Sequence, residues 1–271
     1  MKYRTGGSVR KSDAEKTSSG DSTPGDPPSP ASATSVLHHE FVIDDIPELA
    51  PLIDELPTLR LRPSAVDLES FDQEFQPADY RWTDDSPASP GFQSRYEKVM
   101  RPHWTGSGPR RDFHLINLDQ FVRQDEYGAY CDAKVRTLEH LERVFGSEIR
   151  FSGSMWYPPF AYRLWHTNET QPGWRMYMID FDAQIPRDDT RTFMRYMDPQ
   201  SRELITLPDR PRLLRFFRIR QEADHLLWHC IVNGSPRHRW SFGFVMPDDW
   251  MDRLSLSQAL NCPTAPESRR S

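Results

Sequence analysis

From Ile149 onward the chain is a succession of apolar segments of five to nine residues, each closed by a turn signal. That rhythm restricts this part of the molecule to β structure. The segments are Ile149 to Tyr157, Tyr162 to His166, Trp174 to Phe181, Thr192 to Tyr196, Leu213 to Ile219, Leu226 to Val232 and Arg239 to Val245. Breaks fall at Pro158-Pro159, Gln171-Pro172-Gly173, Asp198-Pro199, Pro208-Asp209 and Asn233-Gly234, where proline fixes φ and Gly, Asn and Asp accept turn geometries. Within Trp174 to Asp180 the alternation puts Arg175 and Tyr177 on one face. There they would line a pocket or form a cross-strand structural pair.

Ahead of the strands, Phe121, Tyr127, Tyr130, Val135, Leu138, Leu141 and Phe145 recur near helical spacing, so a helix is expected over Asp119 to Phe145 with Gly146 as its C-cap. Seven short strands behind a helical support suit a mainly β fold with α support. The expected form is a double-stranded β-helix, a jelly-roll or cupin-like barrel flanked by an N-terminal helix. At 271 residues and 37% hydrophobic content the chain can bury one good core, placed at 111–253. Residues 1–36 are rich in Ser, Gly, Pro, Asp and Lys and are expected to be a disordered tail. Prolines at 47, 51, 57, 63, 77, 87 and 90 predict an irregular, partly ordered arm over 37–110, and 254–271 is expected to be a C-terminal tail. His38-His39, at the edge of the first tail, is assigned no catalytic role.

The balance of charge narrows the partners. A formal net charge of −6 argues against sequence-independent nucleic-acid binding, which rests on clustered cations. Arg187, Arg191, Arg195, Arg202, Arg210, Arg212, Arg215 and Arg218 nevertheless make an Arg-rich middle, read as recognition of an anionic substrate or as charges on exposed strand faces. Cys131, Cys230 and Cys262 form no zinc or disulfide pattern and are expected to be reduced packing residues. No apolar run approaches the roughly 20 residues of a membrane span, so a cytoplasmic protein with no membrane partner is the expectation.

Two Trp-His pairs, Trp165-His166 and Trp228-His229, stand 63 positions apart, and Arg239-Trp240-Ser241 begins ten residues after the second histidine. An even step along extended chain keeps side chains on one face. A hairpin of that length therefore brings His229, Arg239 and Ser241 to one barrel mouth. Taken singly, each histidine is an ordinary strand residue and Arg239 one more surface cation. In this order, they suggest two metal ligands and a clamp for a carboxylate.

The stretch resembles the iron(II)- and 2-oxoglutarate-dependent oxygenase superfamily, whose pattern is H-x-D/E, a distal His, then Arg or Lys about ten residues on, often as R-x-S. Tyr157, nine residues before His166, matches a cosubstrate-binding tyrosine of prolyl 4-hydroxylase-like members. Trp165-His166-Thr167-Asn168 with Pro172-Gly173-Trp174-Arg175 resembles a "WHTN" subgroup of phage and bacterial proteins. The likeness covers roughly residues 150 to 248. It implies iron(II) held by His166, His229 and Asn168, and 2-oxoglutarate held by Arg239, Ser241, Tyr157 and Arg175. It implies hydroxylation of a C–H bond, in a small metabolite, an amino-acid side chain or a peptidyl target, coupled to decarboxylation of the cosubstrate to succinate. One position departs from the pattern: Asn168 stands where the superfamily has a carboxylate. Four readings follow: weak ligation through the amide oxygen, a carboxylate from Glu169 on a bulge, a functional vacancy, or a non-catalytic binding or scaffold protein on the same fold.

Overall fold

Strand β11 (Arg239–Met246) lies hydrogen-bonded between β6 (Gly173–Phe181) and β4 (Arg150–Tyr157), and its alternation organises the fold. Trp240, Phe242, Phe244 and Met246 face one side and join the main apolar core; Arg239, Ser241, Gly243 and Val245 take the other. The computed structural model describes residues 37–108, 111–186 and 188–254. The expectations for the tails up to 36 and after 254, and for Arg187 and Cys262, lie outside the described residues.

Two antiparallel sheets form the body. Beyond β11, β4 and β6, the larger contains β1 (His38–Val42), β3 (Ile116–Asn117) and β9 (Leu213–Ile219), in the order β1-β9-β6-β11-β4-β3. The smaller contains β2 (Phe113–His114), β5 (Tyr162–His166), β7 (Thr192–Met197), β8 (Leu204–Pro208) and β10 (His229–Asn233), in the order β2-β5-β10-β7-β8. From β4 to β11 the chain changes sheet at every step except the β7–β8 hairpin, which is the jelly-roll arrangement of a double-stranded β-helix with helical support. At that hairpin the Asp198 carboxylate accepts the backbone N–H groups of Gln200 and Ser201 at 2.7 and 2.9 Å.

Helix α5 (Tyr127–Phe145) covers the outer face of the larger sheet. It buries Tyr127, Tyr130, Ala133, Thr137, Leu141 and Phe145, one stripe at spacings of three and four, and ends at Gly146 in the left-handed region, φ 57°. The helix starts at Tyr127 and not at Asp119, because Leu118–Gln120 form a separate 3₁₀ turn in which the Asp119 N–H donates to the Asn117 side chain. Val135, expected on the apolar stripe, lies off it and is exposed.

The proline-rich stretch is more regular than an irregular arm. It carries helices α1 (Pro51–Leu59), α2 (Leu68–Gln73), α3 (Pro77–Arg81) and α4 (Phe92–Trp104). Pro51 and Pro77 sit in the first turn of their helices, where the missing N–H costs nothing and the fixed φ helps. Proline here starts helices as often as it breaks them. The same stretch settles where the tryptophans of the Trp-His pairs point. Both lie on the smaller sheet, so they pack against this arm and not against α5. Trp165 donates its indole N–H to the Trp82 carbonyl at 3.1 Å, and Trp228 meets Phe92 and Tyr96 edge-on. Cys230 joins that cluster, on the opposite side of its strand from His229.

Leu141, fully buried on α5, gives a direct test of this layer. Leu141→Ala should cost about 2–5 kcal/mol in urea unfolding, while Val135→Ala should change stability by less than about 0.5 kcal/mol. His114, buried and stacked on Phe71 at 4.0 Å, supplies a pH dependence. Burial pushes its pKa from 6.5 down to about 4, against a smaller upward pull from Asp72. Between those values the unfolded chain binds the extra proton, so this contribution is complete above about pH 6.5 and is lost as pH falls toward 4. In urea melts across that range, His114→Phe should show a shallower decline than wild type.

Candidate metal and carboxylate site

His166 ends β5 and His229 begins β10, and the two are direct cross-strand partners. Their ring centroids lie 3.9 Å apart, and both residues are buried. Each Nδ1 meets the carbonyl oxygen two residues earlier: His166 with Leu164 at 2.8 Å and His229 with Leu227 at 2.9 Å. A carbonyl only accepts, so each Nδ1 carries the proton and each Nε2 keeps its lone pair, the tautomer a metal-binding imidazole needs. Burial pushes the His229 pKa down to about 3; the Leu227 hydrogen bond opposes this and the Arg163 cation adds to it. The ring therefore stays neutral at ordinary pH.

Asn168 lies in the turn after β5, with φ at 102°, a conformation asparagine tolerates better than most residues. Its Oδ1 accepts from Arg163 Nη2 at 3.1 Å, and its Nδ2 points at His229 Nε2 at 3.4 Å. The partners force this orientation, since guanidinium only donates and the Nε2 lone pair only accepts. Ligation through the amide oxygen would require the amide to turn over and leave Arg163. Glu169 is exposed in the same turn and is not brought inward. Among the described residues, no group of three or more His, Cys, Asp or Glu comes together as a metal site. The two imidazoles thus fit a metal, and the third position offers an amide with a guanidinium behind it.

Arg239 and Ser241 occupy the inner face of β11, buried as the R-x-S spacing requires. Arg239 Nε donates to Asp209 Oδ2 at 2.8 Å, its guanidinium carbon lies 4.6 Å from the Tyr157 ring centre, and its Nη1 is buried with no hydrogen-bond partner. An orphaned charged donor is costly in a protein interior, and a ligand oxygen would satisfy it. The cavity beside it is lined by Met194, Phe217, Ile231 and Ser241 among others and has a volume of about 10 Å³, roughly one water. A five-carbon diacid enters only if side chains move, and unbranched Met194 is the most adaptable of them. Phe217 connects the two halves of the site, since its ring also stands 5.4 Å from that of His229.

Tyr157 is the cross-strand partner of Arg239 and offers it a ring face, while burial pushes its hydroxyl pKa up. Arg175 also faces inward but lines a separate cleft with Arg150, Ser152 and Gln171. The structure does not bring it together with Arg239 and Ser241. Two contributors had no signal in the motif. Asp209 is fully buried between Arg239 and Arg215, which donates Nη1 at 2.7 Å and reaches Glu40 through Nε at 2.7 Å. Asn233 donates to the carbonyls of Tyr157, Pro158 and Arg237 and accepts from Thr192 and Ser235, tying the end of β10 to the segments that carry Tyr157 and Arg239. Both had read as turn residues, because an Asp after Pro and an Asn before Gly carry that local signal. The Arg-rich middle is largely paired: Arg191 with Asp189, Arg195 with Asp84, Arg212 with Asp44 and Arg215 as above.

No family model matches the sequence, and no curated protein matches it. Among solved structures, the chain is similar to AviO1 from Streptomyces viridochromogenes, at 9% identity and TM-score 0.34 over 64% of this chain and 86% of that one. It is similar to a Pseudomonas putida prolyl-4-hydroxylase at 12% identity and TM-score 0.29, over 63% and 87% of the two chains. It is also similar to an oxidoreductase of the 2OG-Fe(II) oxygenase family from Burkholderia pseudomallei, at 8% identity and TM-score 0.31, over 69% and 95%. With TM-scores below 0.5, the jelly-roll assignment rests on the strand order itself.

Proposed function

We propose that this chain is an iron(II)- and 2-oxoglutarate-dependent oxygenase that hydroxylates a C–H bond of a small metabolite, an amino-acid side chain or a peptidyl target. The observation that carries the reading is the register-matched pair His166 and His229, with both Nδ1 atoms committed to backbone carbonyls, which puts the lone pair of each ring on Nε2, the tautomer a metal-binding imidazole needs; the Asn168 amide that meets His229 Nε2 at 3.4 Å would give way to the metal. Arg239, with Ser241 beside it, would hold the distal carboxylate of the cosubstrate through its orphaned Nη1. The bound metal and cosubstrate supply the oxidising chemistry with dioxygen and release succinate. The chain's own part is to hold two neutral imidazoles, to orient Arg239 through Asp209 and the Tyr157 ring, and to line the site with Phe217, Ile231 and Met194 so that water is excluded.

A second reading, a non-catalytic binding protein on the same fold, is favoured by one observation. The carboxylate position holds Asn168, with its oxygen turned to Arg163. The two readings part in a single experiment. Anaerobic addition of iron(II) and 2-oxoglutarate should give a visible metal-to-ligand charge-transfer band, and Arg239→Ala should weaken cosubstrate binding about tenfold or more. Metal uptake with no band, and no succinate when air and candidate substrates are supplied, would establish the binding protein. Asn168→Asp should raise iron affinity by restoring a carboxylate ligand; unchanged affinity would place the third ligand elsewhere.

Asp209 gives an independent check on the Arg239 clamp. Asp209→Asn leaves two buried guanidiniums with Glu40 as their one remaining acid partner. Urea unfolding should show a loss of about 3–5 kcal/mol. A loss under about 1 kcal/mol would mean that the carboxylate does not hold Arg239 in place.

A further inference from the structure

Apart from the group formed by Arg239, Asp209 and Arg215, the inner face of the larger sheet carries a further buried arginine, Arg175, at the far end from Arg239. Arg239 opens β11 and Val245, the cross-strand neighbour of Arg175, nearly closes it. Six residues of strand, roughly 20 Å, separate the two positions. On its other side Arg175 pairs with Phe217, whose ring touches His229. The histidine pair therefore faces the segment next to Arg175, with Arg239 lying further down the barrel.

The two arginines differ in how their charge is met. Arg215 and Arg239 are each balanced by buried Asp209. Arg175 is 4% exposed and has no ion pair among the described residues. Among the described residues it donates to two backbone carbonyls, Trp174 at 3.0 Å and Gln171 at 2.7 Å, which occupy two of its five N–H donors. Burial lowers its pKa from the usual arginine value, the expected direction for a cation removed from water without a counter-charge.

Beside it opens a cleft of about 450 Å³ lined by Arg150, Phe151, Ser152, Gln171, Pro172 and Val245, with no acidic residue among them. Arg150 is mostly exposed, and its one ion-pair partner among the described residues is Glu148, at 4.0 Å. Ser152 packs closely on Gly243, where a Cβ would stand 2.6 Å from its hydroxyl and 3.0 Å from the Tyr177 ring.

We propose that the cleft at Arg175 and Arg150 is an oxyanion site that receives a carboxylate or phosphate group of the substrate. Two guanidiniums with no acid between them match such a group by charge and by fork geometry. Its role in anchoring the substrate rests on the oxygenase reading, while the anion site itself does not. The competing account is that Arg175 only pins the turn after β5. It holds the Gln171 carbonyl, and the Gln171 N–H holds the Asn168 carbonyl at 2.9 Å.

The test is calorimetric titration of the full chain, without metal, using inorganic phosphate in one arm and acetate in the other at constant ionic strength. Wild type should show saturable uptake in at least one arm, and the stronger arm identifies the group. Arg150→Ala, a change at an exposed side chain that leaves the turn untouched, should weaken it about threefold. Arg175→Lys should weaken it about tenfold or more, because an ammonium lacks the two-point fork. No saturable uptake in either arm, or uptake that Arg150→Ala leaves unchanged, would overturn the proposal in favour of the structural clamp. The charge-transfer titration of wild type separates this outcome from the oxygenase reading. Anion uptake without a band keeps the site and removes its substrate role, whereas a band without anion uptake removes the site and leaves the oxygenase.

Discussion

The two-residue period of one central strand ties the chemistry of this protein to its stability. β11 is bonded on both edges, so it cannot rotate or slip without breaking two ladders. Its even-numbered residues fill the core beneath α5, and its odd-numbered residues build the inside of the barrel. A one-residue slip would put Trp240 and Phe242 into the cavity and Arg239 into the apolar core. Burial of the aromatics therefore fixes the face on which Arg239 and Ser241 lie, and Asp209 and the Tyr157 ring hold the Arg239 guanidinium there.

Charge placement inside the barrel follows a similar economy. Buried guanidiniums are tolerated when a carboxylate or several carbonyls meet them. Asp209 serves two at once, and Glu40, from the opposite end of the chain, relieves Arg215 further. The histidines need no carboxylate partner, because their Nδ1 protons go to their own strands. Among the described residues the acid groups that meet the inner guanidiniums, Asp209 and Glu40, thus sit at the Arg239 end, while the histidine end carries the cations Arg163 and Arg175. With Asn168 in place of an acid, the pair of imidazoles would bind a cation more weakly than a site carrying a carboxylate.

What could be read in the sequence was what depends on local period. Tyr162–His166 and Leu213–Ile219 fall at the expected bounds, and a shared face for His229, Arg239 and Ser241 was expected from their even spacing. The lack of a carboxylate at residue 168 was also plain. The illegible part is long-range. β8 is a short edge strand, Leu204–Pro208, and its pattern is too brief to stand out. β1 pairs with a strand 175 residues away at Glu40 and Arg215, and nothing near His38 announces it. Asp209 looked like a turn residue because its partners lie at 215 and 239. The surface that covers Trp165 and Trp228 comes from a proline-rich stretch whose helices the proline count concealed.

The pairing of β1 with β9 also has a bearing on aggregation. Without it, the larger sheet would end at β9, a seven-residue run reading Leu-Leu-Arg-Phe-Phe-Arg-Ile with six of its residues buried. A long apolar strand with open N–H and C=O groups is a template for pairing with another chain. The five residues His38–Val42 fill that edge, and His38 reaches across to the Tyr196 hydroxyl in the other sheet at 2.9 Å. The first strand of the described residues thus covers the apolar flank of β9, so a chain lacking it would present that flank to copies of itself.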